Sequence, residues 1–174
     1  VSVGLPLWGV NVRVVADQLS EAPNYEVGQI IVRRHNVMKG YVNNKEATKK
    51  ATKNGWMHSG DLGYKDNEGY FFIVDRLNDV IIRGGTNIYP REIEEEIIKH
   101  PKISLVAVVG IPDERLGEEI KAYLVLKKEQ KLSKTEFKLW ITKKLAANKY
   151  PREIEIIKEL PMNAIGKTIK RKLR

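Results

Sequence analysis

Residues 78–100 read NDVIIRGGTNIYPREIEEEIIKH, and the order of residue types in this stretch decides the fold of the second half of the chain. Val80, Ile81 and Ile82 form a short apolar run of strand type. It stops at Gly84-Gly85, a pair that accepts the positive φ of a tight turn. The chain resumes in extended form through Asn87, Ile88 and Tyr89 to Pro90. Proline has a fixed φ and no amide hydrogen, so it suits the first position of a helix. PREIEEEIIKH then continues with helical period, which predicts Ile93, Ile97 and Ile98 on one face. Glu92, Glu94 and Glu95 stand near the positive end of the helix dipole.

Toward the C-terminus, SLVAVVGIP (104–112) and EEIKAYLVLK (118–127) have the content of a buried and a half-buried strand. Ser133 with Glu136 forms a capping box ahead of Phe137, Trp140, Ile141 and Leu145, spaced for an amphipathic helix. EIEIIKEL (153–160) reads as another strand, and the basic tail GKTIKRKLR (166–174) closes the chain. Strand, helix, two strands, helix and strand after residue 78 make an α+β unit of about 95 residues.

Toward the N-terminus the chain is β-rich. VNVRVV (10–15) and VGQIIVRR (27–34) read as strands, and residues 43–53 as a short surface helix with few apolar anchors. GWMHSGDLGY (55–64) and GYFFIVDR (69–76) flank Asp66-Asn67-Glu68-Gly69, which is hairpin turn chemistry. The change of character at residues 75–79 is the predicted domain boundary.

Composition narrows the function. The 174 residues are 42% hydrophobic and 30% charged, a globular balance. No apolar run reaches the roughly 20 residues of a membrane-spanning helix. There is no Cys, and His35, His58 and His100 are scattered, so no metal site is expected. The net charge of +9 is uneven: residues 1–120 hold 15 basic and 17 acidic side chains, residues 121–174 hold 16 and 5. The last third therefore reads either as a surface for a polyanion or phosphate-rich ligand, or as a solvated lysine face. A basic nucleic-acid-binding module is the remote reading, because regularly interleaved aromatics are missing there.

Four segments ask for a chemical explanation. In HSGDLG, Asp61 follows a glycine at a predicted strand end; it reads as a turn aspartate or as a carboxylate aimed at a diol. Gly84-Gly85 reads as a plain hairpin or as a place of close backbone approach to a ligand. Asn163-Ala164-Ile165-Gly166-Lys167 reads as a flexible segment presenting one lysine, without the upstream glycine of a phosphate loop. Residues 75–79 read as a polar loop between two strands.

Together, GWMHSGDLGYKDNEGYFFIVDR, DVIIRGGTNIYPREIEEEI and LPMNAIGKTIKRKLR, in that order and spacing, strongly resemble the C-terminal part of the adenylate-forming superfamily of acyl-CoA synthetases, luciferases and peptide-synthetase adenylation domains. The opening GLPLWGVNVRVV and the stretch GQIIVRRHNVMKGYVNNKEAT share the resemblance, which thus covers essentially the whole chain. It implies an α+β fold: residues 1–76 as the last, β-barrel-like subdomain of a large N-terminal adenylation domain, and residues 77–174 as the mobile C-terminal domain, a short sheet flanked by helices. It also implies that the chain is a fragment, inactive alone, whose phosphate loop, Mg²⁺ ligands and acyl pocket lie upstream of Val1.

The implied chemistry has two steps: a carboxylic acid and ATP give an acyl-adenylate, and a thiol, usually CoA, displaces AMP. By resemblance Asp61 matches the carboxylate that grips the ribose hydroxyls and Arg76 the arginine near ribose and phosphate. Lys167 matches the catalytic lysine of adenylation, where one such donor is worth ~10²–10³ in rate. Gly84, Gly85, Thr86 and Asn87 match the turn lining the thiol's approach, and Asn78 stands at the hinge, where the family usually has Asp or Lys. The implied cofactors and partners are ATP with Mg²⁺, CoA, the acid, and the N-terminal domain of the same chain, without nucleic acid. The expectation is a long-chain fatty-acid–CoA ligase, cytoplasmic or peripheral to a membrane; carrier-protein loading and aryl-acid ligation are the alternatives.

Overall fold

In the first half of the chain, strands rich in valine and isoleucine build a single antiparallel sheet. The computed structural model describes residues 2–16 and 20–174, and the chain folds as two units, Val1–Asn78 and Asp79–Arg174. The first unit holds β1 (Ser2–Gly4), β2 (Asn11–Val15), β3 (Gly28–Arg33), α1 (Lys45–Ala51), β4 (Thr52–Lys53), β5 (Trp56–Lys65) and β6 (Phe71–Arg76). Strand order is β1-β6-β5-β3-β2, with β4 beside β5, and the sheet is open. Because side chains alternate across a strand, Val14 and Ile30 are buried with Phe71 on one face, and Val15 and Ile31 with Trp56 on the other. The β5–β6 turn is closed by Asp66, whose Oδ1 accepts from the amides of Glu68 and Tyr70. Helix α1 is capped by Asn44 and buries no side chain.

Residues 75–79 are not the predicted loop. Asp75 and Arg76 complete β6, and Leu77–Asp79 is a 3-10 turn inside which the two units divide.

The second unit holds β7 (Ile81–Arg83), β8 (Thr86–Ile88), α2 (Pro90–Ile97), β9 (Ile103–Asp113), β10 (Gly117–Leu126), α3 (Lys134–Ile141) and β11 (Glu153–Ile156). Its sheet runs β11-β10-β7-β8, with β9 also paired to β10; all pairs are antiparallel except β10–β11. The architecture is α+β, as the residue pattern predicts. Val108, Ile120, Ala122 and Leu124 face one layer, where Ile93 and Ile97 of α2 and Phe137 and Ile141 of α3 pack. Ala107 and Val109 face the other, which Leu160 and Leu173 cover. Burial on both faces explains why β9 is apolar almost throughout.

Two expectations change here. Ile98 is not on the buried face: α2 ends at Ile97, and Ile98 is the exposed C-cap. The strand expected over 153–160 ends at Ile156. The tail is seated at its end, where Leu173 is buried and its carbonyl accepts from the Tyr123 hydroxyl at 3.0 Å, while Arg171, Lys172 and Arg174 stay exposed.

Candidate functional site

Asp61 owes its direction to a bulge. Between β3 and β5 the register slips: Gln29 faces Leu62 but Ile31 faces His58, so β5 carries extra residues around Gly60. Bulges re-aim the side chains that follow them. Gly60 has φ +76, a backbone state that strains any residue with a Cβ. Ser59 fixes the bulge, donating to the Ile30 carbonyl at 2.7 Å and accepting from the Asp61 amide at 3.0 Å. Asp61 therefore sits inside β5, not at the strand end expected. It stands opposite Arg76, and its Oδ1 lies 2.8 Å from the Arg76 Nε. The side chains are 29% and 52% exposed, so the pair stabilises the fold by at most ~1 kcal/mol and both groups stay open to a ligand. An acceptor carboxylate beside guanidinium donors suits a ligand carrying hydroxyls next to a phosphate.

Lys167 lies at the end of a hydrogen-bonded turn. Met162 and Thr168 form a β-bridge, and the Asn163 amide donates to the Lys167 carbonyl at 2.9 Å. The Asn163 Oδ1 accepts from the amides of Ile165 and Lys167 at 3.2 and 2.8 Å. The Lys167 side chain is exposed and, among the described residues, joins no ion pair. It borders an open groove of about 400 Å³ whose lining includes Asp79, Glu94, Val106 and Lys170. A fixed backbone with an unpaired ammonium at its end can meet negative charge on a ligand.

Gly84 and Gly85 form the two-residue turn between β7 and β8, with φ +56 and +78, the positive values a type I′ hairpin turn requires. Thr86 and Asn87 follow as exposed residues of β8. The Gly84 amide donates to the Leu116 carbonyl at 2.8 Å. Just before the turn, the Arg83 Nε and Nη2 reach Glu119 Oε1 and Oε2, both at 2.8 Å. The Glu119 hydrogen bonds raise the Arg83 pKa above its usual value. Burial alone would raise the Glu119 carboxyl, but Arg83 and the Ile120 amide outweigh it and hold the group below the usual range.

Thus Asp61 and Arg76 come together in the first unit. Lys167 and the Gly84–Asn87 hairpin occupy separate places in the second, with different neighbours. Asn78 is exposed in the 3-10 turn between the units. Residue patterns missed the Arg83–Glu119 fork and the Glu94–Lys170 pair at 2.7 Å, because their partners are distant in sequence. They also missed the surroundings of His58, whose Nδ1 lies 2.7 Å from Gln29 Oε1 while burial, then Lys53, lowers its pKa.

An α+β unit carrying an exposed lysine on a turn, after a sheet with an Asp–Arg pair, is similar to the C-terminal part of adenylate-forming enzymes. More narrowly, residues 92–167 match the AMP-binding enzyme C-terminal domain family. The chain is 43% identical over 173 residues to a long-chain-fatty-acid–CoA ligase of Bacillus subtilis (strain 168), covering 99% of this chain and 31% of that protein. It is 40% identical to a feruloyl-CoA synthase of Amycolatopsis sp, over 99% of this chain and 35% of the relative. Among solved structures it superposes with a TM-score of 0.91 on the o-succinylbenzoate CoA synthetase of Bacillus subtilis in complex with its acyl-adenylate intermediate, at 38% identity, over 99% of this chain and 35% of that one. The chain spans about a third of the length of the curated relatives it matches.

Proposed function

We propose that this chain is the C-terminal portion of an ATP-dependent acid–thiol ligase. In the first step a carboxylate oxygen of the acid attacks the α-phosphorus of ATP, and pyrophosphate leaves with its bonding electrons. In the second, the CoA thiolate attacks the acyl carbonyl and AMP leaves. The observation that carries the reading is the pairing of an exposed Lys167, in no ion pair among the described residues, on a hydrogen-bonded turn with a separate glycine hairpin in the same small unit.

In this reading Asp61 accepts from the ribose hydroxyls and Arg76 donates toward ribose and phosphate. Lys167 places its ammonium against the charge that develops at the α-phosphate, an electrostatic contribution of ~10²–10³ in rate. Gly84, Gly85, Thr86 and Asn87 border the path of the thiol, and Asn78 is the pivot between the two arrangements. Mg²⁺ accompanies ATP and shields its phosphates. In this reading its ligands come from the larger part of the enzyme.

The acid proposed is a fatty acid, in keeping with the fatty-acid–CoA ligase relative; the feruloyl and succinylbenzoate relatives favour an aryl acid as the second reading. The ligase would work in the cytoplasm or at a membrane surface; no described helix is long and apolar enough to cross a membrane. The test is ATP–pyrophosphate exchange by the full-length enzyme with fatty and aryl acids, followed by CoA addition. Acid-dependent exchange with thioester formation is expected. Exchange without a thioester would indicate a different acceptor, and no exchange with any acid would overturn the proposal.

A further inference from the structure

Among the ion pairs of the described residues, two stand apart, because both partners are at most 20% exposed: Arg83–Glu119 at 13% and 13%, and Lys170–Glu94 at 16% and 20%. Each anchors a different loop. Glu94 of α2 uses one oxygen, Oε1, to accept from Lys170 Nζ at 2.7 Å and from the Val108 amide of β9 at 2.8 Å. Lys170 lies three residues beyond Lys167. In between, the Ile169 amide donates to the Pro161 carbonyl at 2.7 Å, closing the turn that presents Lys167. Helix α2, the sheet and the segment that follows the Lys167 turn thus meet at one carboxylate oxygen. At the second place the Arg83 guanidinium forks onto Glu119 immediately before Gly84. The neighbouring Glu118 Oε2 accepts from the Ile82 amide at 2.6 Å, so two successive carboxylates of β10 hold the base of the Gly84–Gly85 hairpin.

Buried ion pairs are poor sources of stability, since desolvation offsets the attraction and an apolar pair of similar volume often does as well. What they supply here is geometry. The Arg83 fork satisfies two donors and two acceptors in one plane and tolerates little rotation. Glu94 links three elements through a single atom. Neither pair shares a residue with the other.

We infer that these pairs are two independent positioning devices, Glu94 and Lys170 for the lysine turn of adenylation and Arg83 and Glu119 for the hairpin of the thiol step. The inference rests on the proposed function for the identity of the steps, though not for the separateness of the anchors. It predicts that the half-reactions can be damaged one at a time, each through its own ion pair.

The test uses the full-length enzyme with Lys170→Met, Arg83→Met and the conservative variants Lys170→Arg and Arg83→Lys. Adenylate formation and thioester formation from supplied acyl-adenylate are measured separately, beside amide hydrogen exchange. Misplacement of a reacting group by about 1 Å costs on the order of 100-fold, so Lys170→Met should slow adenylation on the order of 10- to 100-fold and leave the thioester step within about twofold. Arg83→Met should do the reverse. Lys170→Arg should restore adenylation, because a cation of similar reach still meets Glu94. Arg83→Lys should not restore the thioester step, because an ammonium cannot fork. Exchange should quicken over residues 162–169 in Lys170→Met and over residues 82–87 in Arg83→Met, each without the other. Equal loss of both steps in either variant, or exchange quickened throughout residues 79–174, would overturn independent anchoring. A wild-type enzyme forming neither product would overturn the functional reading alone, and the exchange pattern would still decide on the anchors.

Discussion

The Gly60 bulge turns Asp61 toward Arg76, and the contact engages a single carboxylate oxygen in a half-exposed place. A ribose diol would find there an ionised acceptor that needs no rearrangement. Charge-assisted hydrogen bonds contribute roughly 1.5–3 kcal/mol, so Asp61→Ala should weaken AMP binding to the full-length enzyme by about 10- to 150-fold. Calorimetry showing unchanged affinity would remove Asp61 from the nucleotide site. Asp61 and Lys167 stand out in the sequence because each sits in a short motif with its own glycine, and the motifs occur in a recognisable order. Glu94, Lys170, Arg83 and Glu119 do not stand out. Each looks like one more charge in a helix, a tail or a strand, and only tertiary folding brings Glu119 to Arg83, 36 residues away.

The elements were legible wherever one period dominated. The apolar run of β9, the alternation in β10, the Pro90 start of α2 and the Ser133 cap of α3 all follow from local chemistry. Misreadings arose where local pattern and tertiary contact disagree. Ile98 continues the helical period, yet the chain turns away after Ile97, where His100 must reach inward. The seat of Leu173 on the sheet and the Lys170–Glu94 pair are not visible in the basic run of the tail. His100 also gives this unit a pH dependence. Its Nδ1 accepts from the Lys102 amide at 3.2 Å and its ring lies edge-on to Trp140, 4.7 Å between centroids. Burial holds its pKa below 6.5, opposed by Glu136 and assisted by Lys102 and Lys127. The folded state then binds fewer protons than the unfolded one. The stabilisation is complete above about pH 6.5 and is lost as pH falls from there through the lower, folded value. In His100→Gln the loss of denaturation midpoint between about pH 7.5 and 5.5 should be smaller than in wild type, a remainder persisting from His58, which is shifted in the same direction. Equal losses in the two proteins would show that His100 does not titrate with folding.

At the scale of the molecule, the two units divide within the 3-10 turn Leu77–Asp79, and the proposed two-step ligase would use that turn as its pivot. Proline holds φ near about −65°, within the 3-10 range, and so favours one arrangement over any that needs another value. Asn78→Pro should therefore spare adenylation and suppress thioester formation, as resolved by pre-steady-state kinetics of each step. Wild-type rates for both would move the pivot elsewhere. The central claim is that one small unit serves both steps with different loops, and Lys167 tests it most directly. In the full-length enzyme, Lys167→Ala should lower acid-dependent ATP–pyrophosphate exchange by about 10²–10³-fold, while thioester formation from supplied acyl-adenylate stays near the wild-type rate. An equal fall in both half-reactions would contradict the account.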